Sequence, residues 1–240
     1  MNLVLDFGNT FQKLALFDEG QLIHIEQHQK ISLPIIRTFA DNHPGIESCI
    51  LSSVIRHSSS INNFLKKKFR FIELTEYTPL PLLNSYHSPK KLGKDRLAAV
   101  AGGASFFPCS DLLVIVAGTC ITYNILTSAN EFQGGAISPG LKMRFQALHT
   151  FTGNLPLVSF VEFYDPLGTN TEQSILSGVI NGIISEMEGF YFLYKKKFPE
   201  LKIILSGGDL NYFDNRLKIN IFAIPNIVIL GLHQILTFNV

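Results

Sequence analysis

The sequence predicts a duplicated α/β architecture, and two observations carry it. An apolar strand, a glycine turn and a second strand occur twice: Leu3-Val4-Leu5, Gly8-Asn9-Thr10 and Leu14-Ala15-Leu16-Phe17 near the start, then Leu112-Leu113-Val114-Ile115-Val116-Ala117, Gly118-Thr119 and residues 121–126 in the second half. Helix and strand patterns alternate behind each copy, which fits two layered sheets and argues against one dinucleotide-binding sheet. Aligning the turns sets Gly8 on Gly118 and Asn9 on Thr119, and a boundary at residues 107–110 gives halves 1–108 and 109–240.

Each element has a local reason. Residues 3–5 form a buried-strand run, the turn at Gly8 returns the chain through residues 14–17, and Asp18-Glu19-Gly20 turns it again into Leu22-Ile23-His24-Ile25, a three-stranded antiparallel meander. Residues 33–40 read as a short helix and Cys49-Ile50-Leu51 as a strand. Residues 58–69 read as a helix with serines at its entry and Lys66-Lys67-Lys68 in its last turn, where cations oppose the helix dipole. Residues 78–89 are proline-rich and irregular, and the loop that follows delivers Gly93 to Arg96 onto a helix start, with Asp95 in a position that suits a cap. Thr169-x-x-Glu172 and Asn170-x-x-Gln173 both have the form that opens a capped helix, here a long one over residues 175–198 closed by Lys195-Lys196-Lys197. Ile203-Ile204-Leu205 is a strand running into Ser206-Gly207-Gly208-Asp209, and residues 227–238 form a closing helix.

Composition narrows the function. Over 240 residues the hydrophobic fraction is 46%, and 20 Lys+Arg against 19 Asp+Glu leave a net charge of +1, so no field favours a nucleic-acid partner. Cys49, Cys109 and Cys120 are far apart without a C-x-x-C pair, which argues against a zinc ribbon, a redox dithiol or a secreted disulfide scaffold. The first residues lack a basic signal region, and the longest apolar runs, 112–117 and 227–232, fall well short of the roughly 18 residues of a membrane span. The expectation is a cytoplasmic protein with no membrane partner.

The familiar phosphate loops G-x-x-x-x-G-K-[ST] and G-x-G-x-x-G and the protein-kinase H-R-D set are absent. What remains are glycine turns at strand ends: Asp6-Phe7-Gly8-Asn9-Thr10, Ala117-Gly118-Thr119, Gly134-Gly135 and Ser206-Gly207-Gly208-Asp209. Such a turn lets phosphate oxygens approach backbone N–H groups, Asn9 and Thr10 add side-chain donors, and Asp6 can hold a hydrated Mg²⁺. Asn and Gly are also ordinary hairpin residues, and it is the recurrence of the turn in both halves that favours the phosphate reading. His24 and His28 lack a third ligand for a metal, His87 is a lone loop histidine, and Cys120 has no neighbouring base in sequence.

Taken in order, Asp6-x-Gly8-Asn9-Thr10, Tyr86-x-x-Pro89-x-x-x-Gly93-x-Asp95-Arg96, Gly118-Thr119-x-x-Thr122, Gly134-Gly135-x-Ile137-x-Pro139-Gly140, Gly168-x-Asn170-Thr171 and Ser206-Gly207-Gly208 resemble type III pantothenate kinase over nearly the whole chain. The resemblance implies a duplicated ribonuclease-H-like fold of the actin-like ATPase class, two similar mixed-sheet halves with an interlobe cleft. It implies ATP- and Mg²⁺-dependent phosphorylation of pantothenate to 4'-phosphopantothenate, the first step of coenzyme A synthesis, in a homodimer with its site near the interface. On this resemblance Asp6, Phe7, Gly8, Asn9, Thr10, Phe11, Gln12 and Lys13 form the first phosphate loop, with Asp6 orienting Mg²⁺ through water. Gly118, Thr119, Gly207 and Gly208 contact ATP, Asp95 is the general base, and Tyr86, Gly93, Lys94, Asp95, Arg96 and Thr171 bind pantothenate. Each residue also has a plain structural reading: Lys13 an exposed strand lysine, Asp95 a cap, Thr171 a helix N-terminal residue, and Gly207-Gly208 a strand-to-helix turn.

The second phosphate motif of the family usually begins with an Asp that binds a monovalent cation, K⁺ or NH₄⁺, and here that position is Val116, which cannot ligate a hard cation. Asn124 also stands where many relatives carry Asp. Activity is therefore expected to be indifferent to exchange of K⁺ for Na⁺. Two other functions stay open at this stage: a nucleotide-binding regulatory relative without turnover, and a small-molecule kinase with another acceptor.

Overall fold

The computed structural model describes residues 1–162 and 165–240. In chain order the elements are β1 (Asn2–Phe7), β2 (Gln12–Asp18), β3 (Gln21–His28), α1 (Leu33–Asn42), β4 (Ser48–Ser53), α2 (Ser59–Lys68), β5 (Arg70–Glu73), β6 (Leu83–Asn84) and α3 (Lys94–Phe106). They continue with β7 (Leu112–Ala117), β8 (Cys120–Leu126), β9 (Glu131–Pro139), α4 (Leu141–Thr150), α5 (Thr171–Lys195), β10 (Lys202–Ser206), α6 (Leu210–Phe213), β11 (Phe222–Ala223) and α7 (Ile227–Asn239). The chain divides into two compact units, one of Met1–Cys109, Thr127–Gln133 and Asn226–Val240, the other of Ser110–Leu126 and Gly134–Pro225.

The first unit holds a five-stranded sheet of order β3-β2-β1-β4-β5. β1, β2 and β3 form the antiparallel meander expected from the sequence, and β4 and β5 add in parallel. Successive side chains on a strand alternate between faces. Leu3, Leu5 and Phe7 of β1, Leu14 and Leu16 of β2, and Cys49 and Leu51 of β4 therefore share one face, packed with Ile36 and Phe39 of α1 and Ile61 and Leu65 of α2. The opposite face is covered by α3 and α7, of which α7 packs on both β1 and β4. Phe17 on this face stacks on His233 of α7 with ring centroids 4.0 Å apart, and the His233 Nε2 pairs with the Asn2 side-chain amide at 3.2 Å. Burial pushes that imidazole down to about 4, so it is neutral at physiological pH.

α3 and α7 cross at two glycines. A Cβ on Gly231 would stand 1.7 Å from the Ala98 carbonyl oxygen, and one on Gly102 2.5 Å from that of Ile227, so only backbones without side chains let the helices approach this closely. α3 is buried almost throughout, from Arg96 to Gly103, because it lies under α7 as well as on the sheet.

In the second unit the strands run in the order β9-β8-β7-β10-β11, repeating the order of the first sheet. β7 pairs antiparallel with β8 and parallel with β10, as β1 does with β2 and β4. Leu113, Ile115, Ile121 and Tyr123 meet Leu141 and Phe145 of α4 and Ile175, Ile180 and Ile183 of α5 in one core. The predicted duplication of a mixed-sheet α/β fold is thus observed. β6 pairs in parallel with the first residues of β9, Leu83 with Glu131 and Asn84 with Phe132, and these residues all belong to the first unit.

Several local expectations are corrected. Gly134 and Gly135 do not form a turn at a strand end; they lie inside β9 with φ of 100° and 143°, and a Cβ on Gly135 would stand 1.9 Å from the Tyr123 carbonyl. Asp95 is not the cap of its helix: Gly93 holds the N-cap position and Asp95 is in the first turn. Of the two capping signals at the long helix, Asn170 takes the cap and accepts the Gln173 N–H at 2.9 Å, while the Gln173 side chain reaches back to the Thr169 N–H at 3.0 Å. β9, α4 and α6 carry no clear pattern in the sequence and were not expected.

Because the α3–α7 crossing has no room for a methyl group, Gly231→Ala is expected to destabilise the protein by about 1–3 kcal/mol or more, as overpacked cores do. Urea unfolding of the two proteins checks this, and an unchanged midpoint contradicts the packing.

Candidate active site

The face of the first sheet that meets α3 and α7 carries a row of polar side chains at its C-terminal end. Asp6 on β1 lies opposite Lys13 on β2 and beside Ser52 on β4. Neighbouring positions across strands point to the same face, so the three form a line across the sheet. Lys13 Nζ donates to Asn226 Oδ1 at 2.8 Å. Asn226 is the residue before α7 and adopts the left-handed conformation, φ 56°, which asparagine tolerates better than most residues. Lys13 is therefore no free strand lysine but a half-buried group tied to a residue 213 positions away.

Asp95 enters the row from the first turn of α3. A Cβ on Gly93 would lie 2.5 Å from Asp95 Oδ1, so the carboxyl folds back over Gly93, where only glycine leaves it room. Its environment is divided: burial pushes the carboxyl up, while the Arg96 backbone N–H and guanidinium and its own N–H pull it down, and the net direction is upward. Asp6 is pushed up to about 7, by burial first and by the Asp95 charge second, with Lys13 opposing. Lys13 itself is lowered by burial, against the attraction of Asp6. Two carboxyl groups that repel one another in a poorly solvated place bind protons or cations more avidly than either would in water.

The β1–β2 turn separates into exposed and buried members. Asn9, Thr10 and Phe11 are exposed, whereas Phe7 lies in the core and Gln12 is buried with its Oε1 accepting the Ile31 N–H at 2.5 Å. Of the residues predicted for the phosphate loop, Phe7 and Gln12 thus have their side chains committed to the fold. Gly8 is required for the bend, since a Cβ there would lie 2.8 Å from the Phe11 carbonyl.

Arg96 is 4% exposed, and its guanidinium lies 5.7 Å from the Tyr86 ring and 5.6 Å from the Phe132 ring. The two aromatic faces stabilise a cation at that range. The Tyr86 N–H is held by Asn84 Oδ1 at 3.1 Å, and Lys94 is the first residue of α3. The first unit therefore brings Tyr86 to Arg96, Asp95 to Asp6, and Asp6 to Lys13.

In the second unit three glycine-bearing segments meet at the β7–β8 turn. A Cβ on Gly140 would be 1.9 Å from the Gly118 carbonyl, and one on Gly207, at φ 104°, 2.1 Å from that of Ala117. The Gly140 N–H bonds the Thr119 carbonyl and the Asp209 N–H bonds the Ala117 carbonyl, each at 3.1 Å. Gly118, Thr119, Gly207 and Gly208 are thus gathered in one place, with Asp209, whose carboxyl burial raises and Lys142 lowers. Val116 pairs with Thr122 and Ser206 and brings no oxygen ligand from its side chain. Asn124 is fully buried and donates to the Val114 carbonyl and to Thr122 Oγ1, both at 3.0 Å, a bond to a carbonyl that an ionised Asp could not make. Thr171 belongs to a different place in this unit. It lines a cavity of about 720 Å³ with Arg144, Leu148, Leu155 and Val179, where Arg144 is held by Glu186 at 2.5 Å.

Sequence reading missed Asn226 and Ser52. An Asn before an apolar run signals a helix start, but nothing local marks it as the partner of Lys13. Among the described residues no group of three metal-ligating side chains occurs, and His24 and His28 instead flank Glu26, at 3.3 Å and 2.9 Å. No described helix is long and apolar enough to cross a membrane.

The fold resembles that of several solved structures. A hexokinase of the ROK family from Thermus thermophilus matches with a TM-score of 0.51 at 11% identity, covering 98% of both chains. An ethanolamine utilization protein from Carboxydothermus hydrogenoformans matches with a TM-score of 0.53 at 12% identity, over 98% of this chain and 89% of the other. With the two repeated mixed sheets, these likenesses place the protein in the actin-like ATPase and sugar-kinase fold class. The family model for type III pantothenate kinase matches residues 2–192. Type III pantothenate kinases from Christiangramia forsetii and Phocaeicola vulgatus are 44% and 42% identical over all of this chain and 99% of their own lengths. The chain belongs to the type III pantothenate kinase family.

The Asp6 environment has a signature in stability. An aspartate whose proton is held more tightly when folded costs nothing below its unfolded titration near pH 4, and stability falls as pH rises from there through about 7. Asp6→Asn removes that cost, so it is expected to stabilise the ligand-free protein at pH 8 and to leave it nearly unchanged at pH 4. Urea unfolding at the two pH values checks this, and equal effects at both contradict the burial.

Proposed function

We propose that this chain catalyses transfer of the γ-phosphoryl group of ATP to the primary hydroxyl of pantothenate, giving 4'-phosphopantothenate at the start of coenzyme A synthesis. Membership of the family supports the reaction, and the placing of Asp6 between the Asp95 and Lys13 charges in the first unit is the observation that supports its chemistry.

Asp95 acts as the general base. It takes the proton of the hydroxyl while that oxygen bonds to the γ-phosphorus and the bond to the bridging oxygen breaks, releasing ADP. A carboxyl raised above its usual range is the stronger base for the task. Gly93 leaves the carboxyl room to fold over the helix start, and the Arg96 N–H fixes its direction. Lys13, ordered by Asn226, offsets charge on the transferring group.

A divalent cation, taken here as Mg²⁺, fits the first unit: Mg²⁺ is ordinarily bound through one or two carboxylates plus phosphate oxygens and water, and Asp6 and Asp95 are two carboxyls whose mutual repulsion a cation relieves. Asp6 would hold it through water, and the cation would supply charge neutralisation for the phosphate groups. The position of the usual monovalent-cation ligand is Val116, which does not fit K⁺ or NH₄⁺, and no step is assigned to such an ion. On the same reading Gly8, Asn9, Thr10, Gly118, Thr119, Gly207 and Gly208 contact ATP. Tyr86, Gly93, Lys94, Arg96 and Thr171 contact pantothenate, and the working form is a homodimer in the cytoplasm.

The test is formation of phosphopantothenate by the purified protein with ATP, Mg²⁺ and pantothenate. Asp95→Asn is expected to lower kcat by about 10²–10⁴-fold, the range of general-base catalysis, with ATP affinity kept. ATP binding without product from the wild type contradicts the proposal, as does an Asp95→Asn variant with normal turnover.

A further inference from the structure

Ser52 is 0% exposed, and its hydroxyl is the buried side-chain polar atom that finds no hydrogen-bond partner among the described residues. Burying such a group unpaired is costly, and native proteins rarely tolerate it without a use. Packing does not require it, since alanine differs from serine only by this oxygen. Its neighbour shows the contrast: Ser53 Oγ donates to the Ile55 carbonyl at 2.7 Å.

The position of Ser52 is specific. It pairs with Asp6 in the parallel register of β1 and β4, and Leu5, Phe7 and Leu51 take the opposite face, so Ser52 and Asp6 lie side by side under α3 and α7. Adjacent parallel strands are about 4.8 Å apart, which puts a serine hydroxyl within reach of a neighbouring carboxylate by side-chain rotation alone. Lys13 flanks Asp6 on its other side and is already engaged with Asn226.

We infer that Ser52 is a positioning residue for the nucleotide site: its hydroxyl is held in reserve in the ligand-free protein and donates to the Asp6 carboxylate when Mg²⁺ and ATP are bound. This rests on the proposed role of Asp6. A hydrogen bond to a charged acceptor is worth about twice a neutral one, so the bound state gains what the free state lacks. The arrangement trades resting stability for affinity, a trade common where function sets a residue's identity.

Ser52→Ala separates this from a structural role, because the two predict opposite signs. Thermal unfolding of the ligand-free variant is expected about 2–8 °C above wild type, since an unpaired polar atom has been removed. Calorimetric titration with ATP in the presence of Mg²⁺ is expected to show affinity at least about tenfold weaker. In an Asp6→Ala background the same substitution is expected to leave affinity unchanged, because the acceptor is gone. A lower or unchanged melting temperature, affinity within twofold of wild type, or an equal loss in the Asp6→Ala background overturns the inference. Product formed by a wild type whose Ser52→Ala variant binds normally defeats the Ser52 role alone. The expected binding pattern in a protein that makes no phosphopantothenate defeats the acceptor assignment alone, and a wild type that binds no ATP defeats both.

Discussion

Two carboxyl groups, Asp6 and Asp95, are kept near one another in a place that solvates neither well, and the chemistry of the first unit follows from that constraint. Water would let both ionise independently near pH 4. Here burial raises both, the Asp95 charge raises Asp6 further, and Lys13, itself lowered by burial, supplies too little compensation to restore Asp6 to its ordinary range. Such a pair is poised to accept a proton and to welcome a cation, the two demands of phosphoryl transfer to an alcohol.

The rest of the first unit can be read as the scaffold that sustains this cost. β1 supplies Asp6 from a strand flanked on both sides, so its position is fixed by two ladders. α3 supplies Asp95 from its first turn, and α3 is in turn pressed into place by α7 through Gly102 and Gly231. α7 also begins at Asn226, which holds Lys13. One terminal helix therefore sets the placement of Asp95 and orders the lysine. In the second unit, Gly140 and Gly207 clamp the β7–β8 turn on backbone carbonyls alone, leaving Gly118 and Thr119 at its tip. Backbone contacts of this kind suit a ligand with many oxygens, because N–H groups can then turn toward it.

Much of this was legible in the sequence. The duplicated strand–glycine–strand pattern gave the meander of the first sheet and the matching β7–β8 pair, since period-2 apolar runs and glycine turns are local signals. Asp6, Asp95 and the glycines stand in motifs that the sequence shows. What escaped was long-range or depended on backbone. Gly134-Gly135 looks like a turn, yet β9 runs through it, because the demand there is close approach to the Tyr123 carbonyl. Asp95 looks like a cap, but Gly93 takes that place and Asp95 stands in the first turn. No local pattern ties Asn226 to Lys13, assigns the last helix to the first unit or reveals that Ser52 lacks a partner. Val116 was visible as a departure, and the structure adds that Asn124 nearby donates to a buried carbonyl, a role for an amide and not for an acid.

The coupling of the two carboxyls is most directly measured by NMR titration of ¹³C-labelled aspartates in the ligand-free protein. Asp6 should titrate near pH 7, and its midpoint should fall when the Asp95 charge is removed by Asp95→Asn. An Asp6 that titrates near pH 4, or one whose midpoint ignores residue 95, would show that the two acids stand apart in ordinary solvent, and the site described here would lose its physical basis.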